Sequence, residues 1–582
     1  MASSGNFAVW NTRDRAYYVD ITQGNQKLMG NSSSDAGGSN TTLGVSSGKW
    51  YVEFRVFKTT SSYPYISLSS GPNAEDFHPN NGFQGEIRYH APSSTRMQDN
   101  TSSMNSDLWG TITLTETNTE ACNNGDVVGF ALDMDNKKLF ISRNGTFFNS
   151  GDPANGTNPQ ATWTTNPPEV FFNCFSYTSS RGAVINAGQD STFLGGLSAG
   201  TGVDDNGFGN FKYSVPSGFL ALCSGNLPTN ANIDPAGADG ATKHPALNFN
   251  VVAYTGNGGS LAVNCGFQPD LIWLKKRSSG TNQDDIMVDS TRGYNYAQSA
   301  VNTNNSFSYP GVSAITSTGV TLGGEANVNG SGVEHVGWFW KANGGSTSSN
   351  SNGDITSTVQ ANTDAGFSIV KWTSNNSSNQ TIGHGLGAIP RFIISKPYST
   401  GNWSWHVFHH YLGSVGDFQL NGYDTFTSGT NTYGAMPDAN VFTVGSPGNL
   451  MPNNSTTDVI SYCWANVDGM QKFGYYIGNN EDNNGCTVYT GFRPRLLFIK
   501  GATEAYGWYV FDSARSTSNL VDKQVSWYPG GAESVEPTGA RKVDFFATGF
   551  KVMADAASIN GATDYYIYGC WGDVPAQFNN AF

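Results

Sequence analysis

The chain has 582 residues, of which 37% are hydrophobic, 13% aromatic and only 13% charged, with a net charge of −14 and 70 glycines. An acidic balance of this size argues against nucleic acid and anionic membrane as partners. The aromatic content argues against a disordered chain, and no apolar run of about 18 residues marks a membrane span.

Gly, Ser, Thr and Asn stand where helix formers would otherwise be, which describes short strands joined by polar turns. The expectation is an all-β chain of about three to five domains. The N-terminal "MASSGNFAVWNTRDRAYY" has neither a basic n-region nor an apolar h-region, so no signal peptide is expected. Seven cysteines (Cys122, Cys174, Cys223, Cys265, Cys463, Cys486 and Cys570) are odd in number and lack C-x-x-C spacing. Buried free thiols are expected, with no disulfide framework and no zinc site.

The first predicted strand is "GKWYVEFRVF", Gly48 to Phe57. Trp50, Val52, Phe54 and Val56 alternate with Tyr51, Glu53 and Arg55, the period-2 pattern of a strand with one face buried. "GDVVGFALDMDNKKLFISRNGTFF", Gly125 to Phe148, reads as strand, turn at Asp135-Asn136, strand, and an Asn144-Gly145 turn. "PPEVFFNCFSY" (Pro167 to Tyr177) and "AVINAGQDSTF" (Ala183 to Phe193) follow. These blocks, in this order, resemble a SPRY domain over most of residues 40–195. They depart from it at Ala187, where the family usually has Phe, and in a long insert between Ser70 and Asn124. The resemblance implies a concanavalin-like sandwich over residues 1–222 that binds through loops and has no catalytic residues.

Three later segments align: "GFQPDLIWLKKR" (Gly266 to Arg277), "GLGAIPRFIISKP" (Gly385 to Pro397) and "GFRPRLLFIKGA" (Gly491 to Ala502). Each has a proline (Pro269, Pro390, Pro494), an apolar strand and a lysine. "DIMVDS", "WHVFHH" and "WYVFDS" come next, and each unit closes on an aromatic strand with Trp340, Trp464 or Trp571. This is a triplicated unit of roughly 105–120 residues, enough for one β-sandwich each. The units are repeat 1 (223–345), repeat 2 (346–470) and repeat 3 (471–582). The continuous apolar runs suit strands buried on both faces, and the proline suits a strand entry that needs no ladder N–H. Residues 212–228 and the blocks after them resemble an uncharacterised module of structural proteins from marine cyanophages and related phages. That resemblance implies a virion protein and supplies no binding residues.

No G-x-S-x-G, H-E-x-x-H, P-loop or dinucleotide fingerprint is present. Asp133 and Asp135 share a strand face and lead into a turn, where Asp is ordinary turn chemistry; Asp284-Asp285 reads the same way. "WSWHVFHH" brings together Trp403, Trp405, His406, His409 and His410. His409 aligns with Asp289 and Asp512, so two of the three units lack the histidine cluster, and no carboxylate lies nearby in sequence to complete a metal site. Trp403 is the candidate exposed platform for a sugar face, with Trp405, His406 and His409 beside it. The expectation is therefore a non-enzymatic protein without cofactor or metal, a tail fibre or spike component of a phage particle that recognises a host surface. Other particle proteins and a bacterial surface glycan or protein are the expected partners, and homo-oligomerisation, guessed as a trimer, is expected by analogy. The alternatives are a head decoration protein and a surface-polysaccharide depolymerase, the latter requiring paired carboxylates in a cleft.

Overall fold

A computed structural model describes residues 6–15, 18–32, 37–58, 64–69, 87–90, 96–99, 109–115, 122–167, 169–176, 179–228, 233, 244–278, 285–294, 296–299, 307–308, 310–399, 402–412, 415–429, 431–448, 450, 456–527, 532–535 and 541–575. These form strands and turns, with short helical turns that include Ala326–Asn329 and Ala557–Asn560. The chain is all-β and divides into two compact units, one of residues 1–228 with 486–491 and one of 229–485 with 492–582.

The first unit is a sandwich of two antiparallel sheets. The six-stranded sheet runs Trp10–Arg15, Gly37–Thr41, Phe171–Ser176, Tyr65–Ser69, Ile87–His90, Arg96–Asp99; the last two strands come from the long insert. The larger sheet is centred on Lys49–Phe57, flanked by Gly182–Asn186 and Val127–Asp133. Trp10, Phe54, Phe130 and Phe172 fill the space between the sheets; Phe54 meets the other three at 5.8, 5.7 and 6.2 Å between ring centres. The Asn144-Gly145 turn forms as expected, both residues at positive φ (48° and 83°), and returns the chain so that Thr146–Phe147 pairs with Ser142–Arg143.

One expectation is corrected. Strand Lys49–Phe57 is buried on both faces, because Phe211, Phe219, Ala221 and Cys223 from the segment after the closing strand pack over Tyr51, Ala131 and Phe140. Glu53, fully buried on that outer face, holds the segment in place. It accepts the backbone N–H of Lys212 (2.8 Å) and of Tyr213 (2.9 Å), and side-chain donors from Asn186 and Tyr51. The outward face of the sheet was free to be apolar because the chain covers it itself.

In the second unit each repeat builds one large antiparallel sheet and one small one. The large sheets centre on Leu271–Lys276, Pro390–Pro397 and Phe492–Gly501, each lying between the aromatic closing strand (Glu334–Trp340, Asp458–Ala465, Tyr565–Pro575) and the strand that follows it in sequence. Pro269 precedes its strand, while Pro390 and Pro494 sit where the register slips, so no ladder N–H is lost. One face of the first large sheet packs on its own small sheet through Ile272, Leu274, Ile286, Val288 and Phe339. Ile393, Phe408 and Cys463 do the same in the second. The opposite faces of all three sheets meet in one shared core containing Trp273, Trp338, Trp340, Ile394, Trp464, Phe498 and Trp571. The continuous apolar runs are explained: these strands are buried on both sides. At the centre the three closing tryptophans touch one another, Trp340–Trp464 at 5.8 Å, Trp340–Trp571 at 5.5 Å and Trp464–Trp571 at 6.0 Å. Three equivalent residues in mutual contact close a ring of repeats. The boundaries at 345/346 and 470/471 therefore divide the sequence without dividing the core.

Candidate functional site

The segment singled out by its aromatics and histidines enters the large sheet of repeat 2. Strand His406–His409 pairs with Phe392–Ser395 on one side and with Phe418–Gln419 on the other. Alternation sends His406 and Phe408 toward the small sheet, and Trp405, Val407 and His409 toward the shared core. Trp405 is fully buried, with the Tyr462 ring stacked 6.3 Å away and the Lys396 ammonium 5.3 Å from its ring centre. Trp403 is half-buried, and its indole N–H is out of solvent with no acceptor among the described residues. An exposed aromatic platform is thus corrected: Trp405 belongs to the core and Trp403 is partly covered, because the strand carries its own rings inward.

His406 is also buried, and its Nδ1 lies 2.5 Å from Asp417 Oδ2. Sequence order hid this carboxylate, which a strand pairing brings back eleven residues later. His409 turns to the seam between repeats 2 and 3, where its Nε2–H reaches the Tyr568 carbonyl at 3.2 Å. Burial, with the Arg391 charge adding to it, pushes His409 down to about 3, and His410 likewise to about 3. Among the described residues no three His, Cys, Asp or Glu side chains gather as metal ligands.

The aligned lysines are the chemically densest positions of the second unit. Lys275, Lys396 and Lys500 are each fully buried and face the shared core. Each meets a different solution across the strand. Lys275 Nζ lies 2.5 Å from Asp285 Oδ1. Lys396 has Trp405 at the position of Asp285 and lies over its ring. Lys500 donates to the carbonyls of Asp424 and Tyr506, both at 2.7 Å, while Trp508 takes the Asp285 position. Burial, with the Arg292 charge behind it, brings Lys396 down to about 7; burial brings Lys500 down to about 8.

Two seams are tied by ion pairs at i,i+3. Arg292 Nε lies 2.5 Å from Asp289 Oδ2, and Tyr462 of repeat 2 donates to the same carboxylate at 2.9 Å. Arg515 Nε lies 2.6 Å from Asp512 Oδ2, and Glu533 then bridges Arg515 to Arg277 of repeat 1, at 3.2 and 2.7 Å. Sequence reading missed these pairs although "DSTR" and "DSAR" recur at matching places in repeats 1 and 3. It read Asp285 as turn chemistry, whereas Asp285 is the buried partner of Lys275; Asp284 lies outside the described residues. Asp133 does serve its turn, accepting the Asn136 N–H and side-chain amide, each at 2.9 Å, while Asp135 accepts the N–H of Gly48 at the start of the neighbouring strand. All seven cysteines are free and buried. No described helix is long and apolar enough to cross a membrane.

A frame of buried strands and closing tryptophans carried three times around a shared core, with paired charges in repeats 1 and 3, defines a class of all-β repeat protein. More than half of the chain, residues 244–575, matches the domain of unknown function DUF7483, and the chain belongs to that family. The match spans all three repeats as one module. A comparison with curated protein sequences returned no match. Solved structures similar to part of the chain include the SPRY domain of human HERC1, at 16% identity and TM-score 0.21, covering 30% of this chain and 94% of that one. The TRIM65 PSpry domain is similar at 10% identity and TM-score 0.22, covering 31% and 90%.

Proposed function

We propose that the chain is a non-enzymatic surface component of a virus particle, a tail fibre or spike of a tailed phage of marine bacteria, that recognises the host surface through its loops. The observation that carries this reading is the division of labour in the second unit. The three repeats keep the same strand pairings around one core while their connecting segments differ, which is how a rigid scaffold presents recognition loops. The charged side chains of the frame are engaged in holding repeats together, as at Asp289–Arg292 and Arg515–Glu533–Arg277. Host-adsorption competition tests the reading: purified protein added before the phage should lower adsorption, and unchanged adsorption at saturating protein counts against it. Gold-labelled antibody on intact particles separates a tail position from a head-decoration role. New reducing ends released from host polysaccharide would replace the reading by a depolymerase.

A further inference from the structure

We propose that Lys275 and Asp285 condense to an intramolecular amide that cross-links two neighbouring strands of the first repeat. The register places the two side chains directly opposite: Leu274 pairs with Ile286, so the next positions outward are Lys275 and Asp285, on the same face of the sheet as Trp273. Both side chains are at 0% exposure, and the amine nitrogen lies 2.5 Å from Oδ1. The carboxyl carbon stands one bond behind that oxygen, so the amine needs only a small shift to reach the roughly 3–3.5 Å from which a nucleophile attacks. Both partners are fully out of solvent, whereas Lys49–Asp133 and Lys542–Asp482 each keep a partly exposed member. The arginine pairs at the other seams offer no comparable nucleophile. In repeats 2 and 3 the Asp285 position carries Trp405 and Trp508, so the chemistry is confined to repeat 1.

The surroundings supply what the step requires. The Trp273 indole N–H donates to Asp285 Oδ2 at 2.9 Å, placing a fixed donor on the oxygen that carries charge when the carbon becomes tetrahedral. Trp527 stacks on Trp273 and closes the site against water, which favours loss of water and protects the product from hydrolysis. Proton transfer within the pair exposes the amine lone pair. Nζ then bonds to the carboxyl carbon, the bond from carbon to Oδ1 breaks, and Oδ1 leaves as water with two of the three ammonium protons. The third proton stays on the amide nitrogen, and the two opposite charges vanish together. A buried salt bridge is the competing account of the same geometry, and it differs by one molecule of water.

Mass decides between them. Intact full-length protein, denatured and measured by mass spectrometry, is expected to be one water lighter than its sequence, and protease digestion should yield a branched peptide containing both Lys275 and Asp285. Lys275→Met and Asp285→Ala should each abolish the water loss and the branch. Recovery of both residues in linear peptides from the folded wild-type chain overturns the proposal. The readout is carried by the wild type, so a variant that fails to fold leaves the test intact.

Discussion

Trp273 of repeat 1 lies face to face with Trp527 of repeat 3, ring centres 4.4 Å apart and planes 21° from parallel. The two are not equivalent in the repeat alignment. Trp527 follows the strand Lys523–Ser526 and reaches across the seam, where Trp338 also meets it edge-on at 6.2 Å. One ring thus buries its apolar area against another repeat's central strand, and the stability of repeat 1 depends on residues more than two hundred positions later.

Trp527→Ala is expected to cost about 3–5 kcal/mol, the range for truncating a buried tryptophan. The loss should appear as a lower urea midpoint for the second unit as a whole. Trp464→Ala, at the central triangle, should behave the same way. Two separated transitions in which repeats 1 and 3 melt while repeat 2 persists would show that the core is not shared in the energetic sense.

Arg292→Met keeps much of the side-chain volume and strands the Asp289 carboxylate, which is fully buried with Tyr462 as its remaining side-chain hydrogen-bond donor. Removing one partner of a buried pair costs about 3–5 kcal/mol, while replacing both members with apolar groups costs far less. The single variant should therefore unfold at markedly lower denaturant than Arg292→Met combined with Asp289→Leu. Equal stability of the two would mean that the pair contributes little.

The triplication was legible because the features that define the fold are local and periodic: a proline at a strand entry, a four-residue apolar run and a closing tryptophan. The hairpin around Asn144-Gly145 was legible for the same reason. The shared core was not. An apolar run tells that both faces of a strand are covered, but not whether the second cover is the same repeat or its neighbour. Trp405 was misjudged on this ground, since an aromatic beside histidines looks the same in sequence whether it points to solvent or to the shared core. Asp417 was invisible because strand pairing, which no local pattern encodes, brings it to His406.

Glu53 makes the first unit respond to pH in one direction. Burial outweighs its four hydrogen bonds and raises it from 4.5 to about 7. The folded state then holds a proton that the unfolded chain releases, so this group's contribution is full below about pH 4.5 and is lost as pH rises through 7. Glu53→Ala removes the anchor of Lys212 and Tyr213 and leaves their N–H groups unpaired, at about 1–3 kcal/mol each where they stay buried. Limited proteolysis should then cut within residues 198–226 faster than in the wild type. An unchanged cleavage rate would mean that Phe211 and Phe219 hold the segment without Glu53.

The second unit should respond in the opposite direction. His409 and His335 are both buried, and burial pushes them down to about 3 and about 4; lysine or arginine charges nearby add to the effect. A histidine lowered on folding is neutral in the native state and protonated once the chain unfolds, so the unfolded state binds more protons as pH falls below 6.5. At pH 5 the loss is on the order of 2 kcal/mol for His409 alone, by linkage. His409 sits at the seam between repeats 2 and 3, where its neighbours are Arg391, His410 and the Tyr568 carbonyl, so protonation there adds positive charge beside an arginine with no carboxylate in the described hydrogen bonds of that ring. Scanning calorimetry from pH 7.5 to 4.5 should show the second unit's melting temperature falling. His409→Asn, which cannot take up the proton, should flatten that fall even if it lowers stability at pH 7.5. A wild-type profile that stays level down to pH 4.5 would mean that the seam opens to water before the ring is protonated, and that His409 is not buried in the ensemble that matters for unfolding.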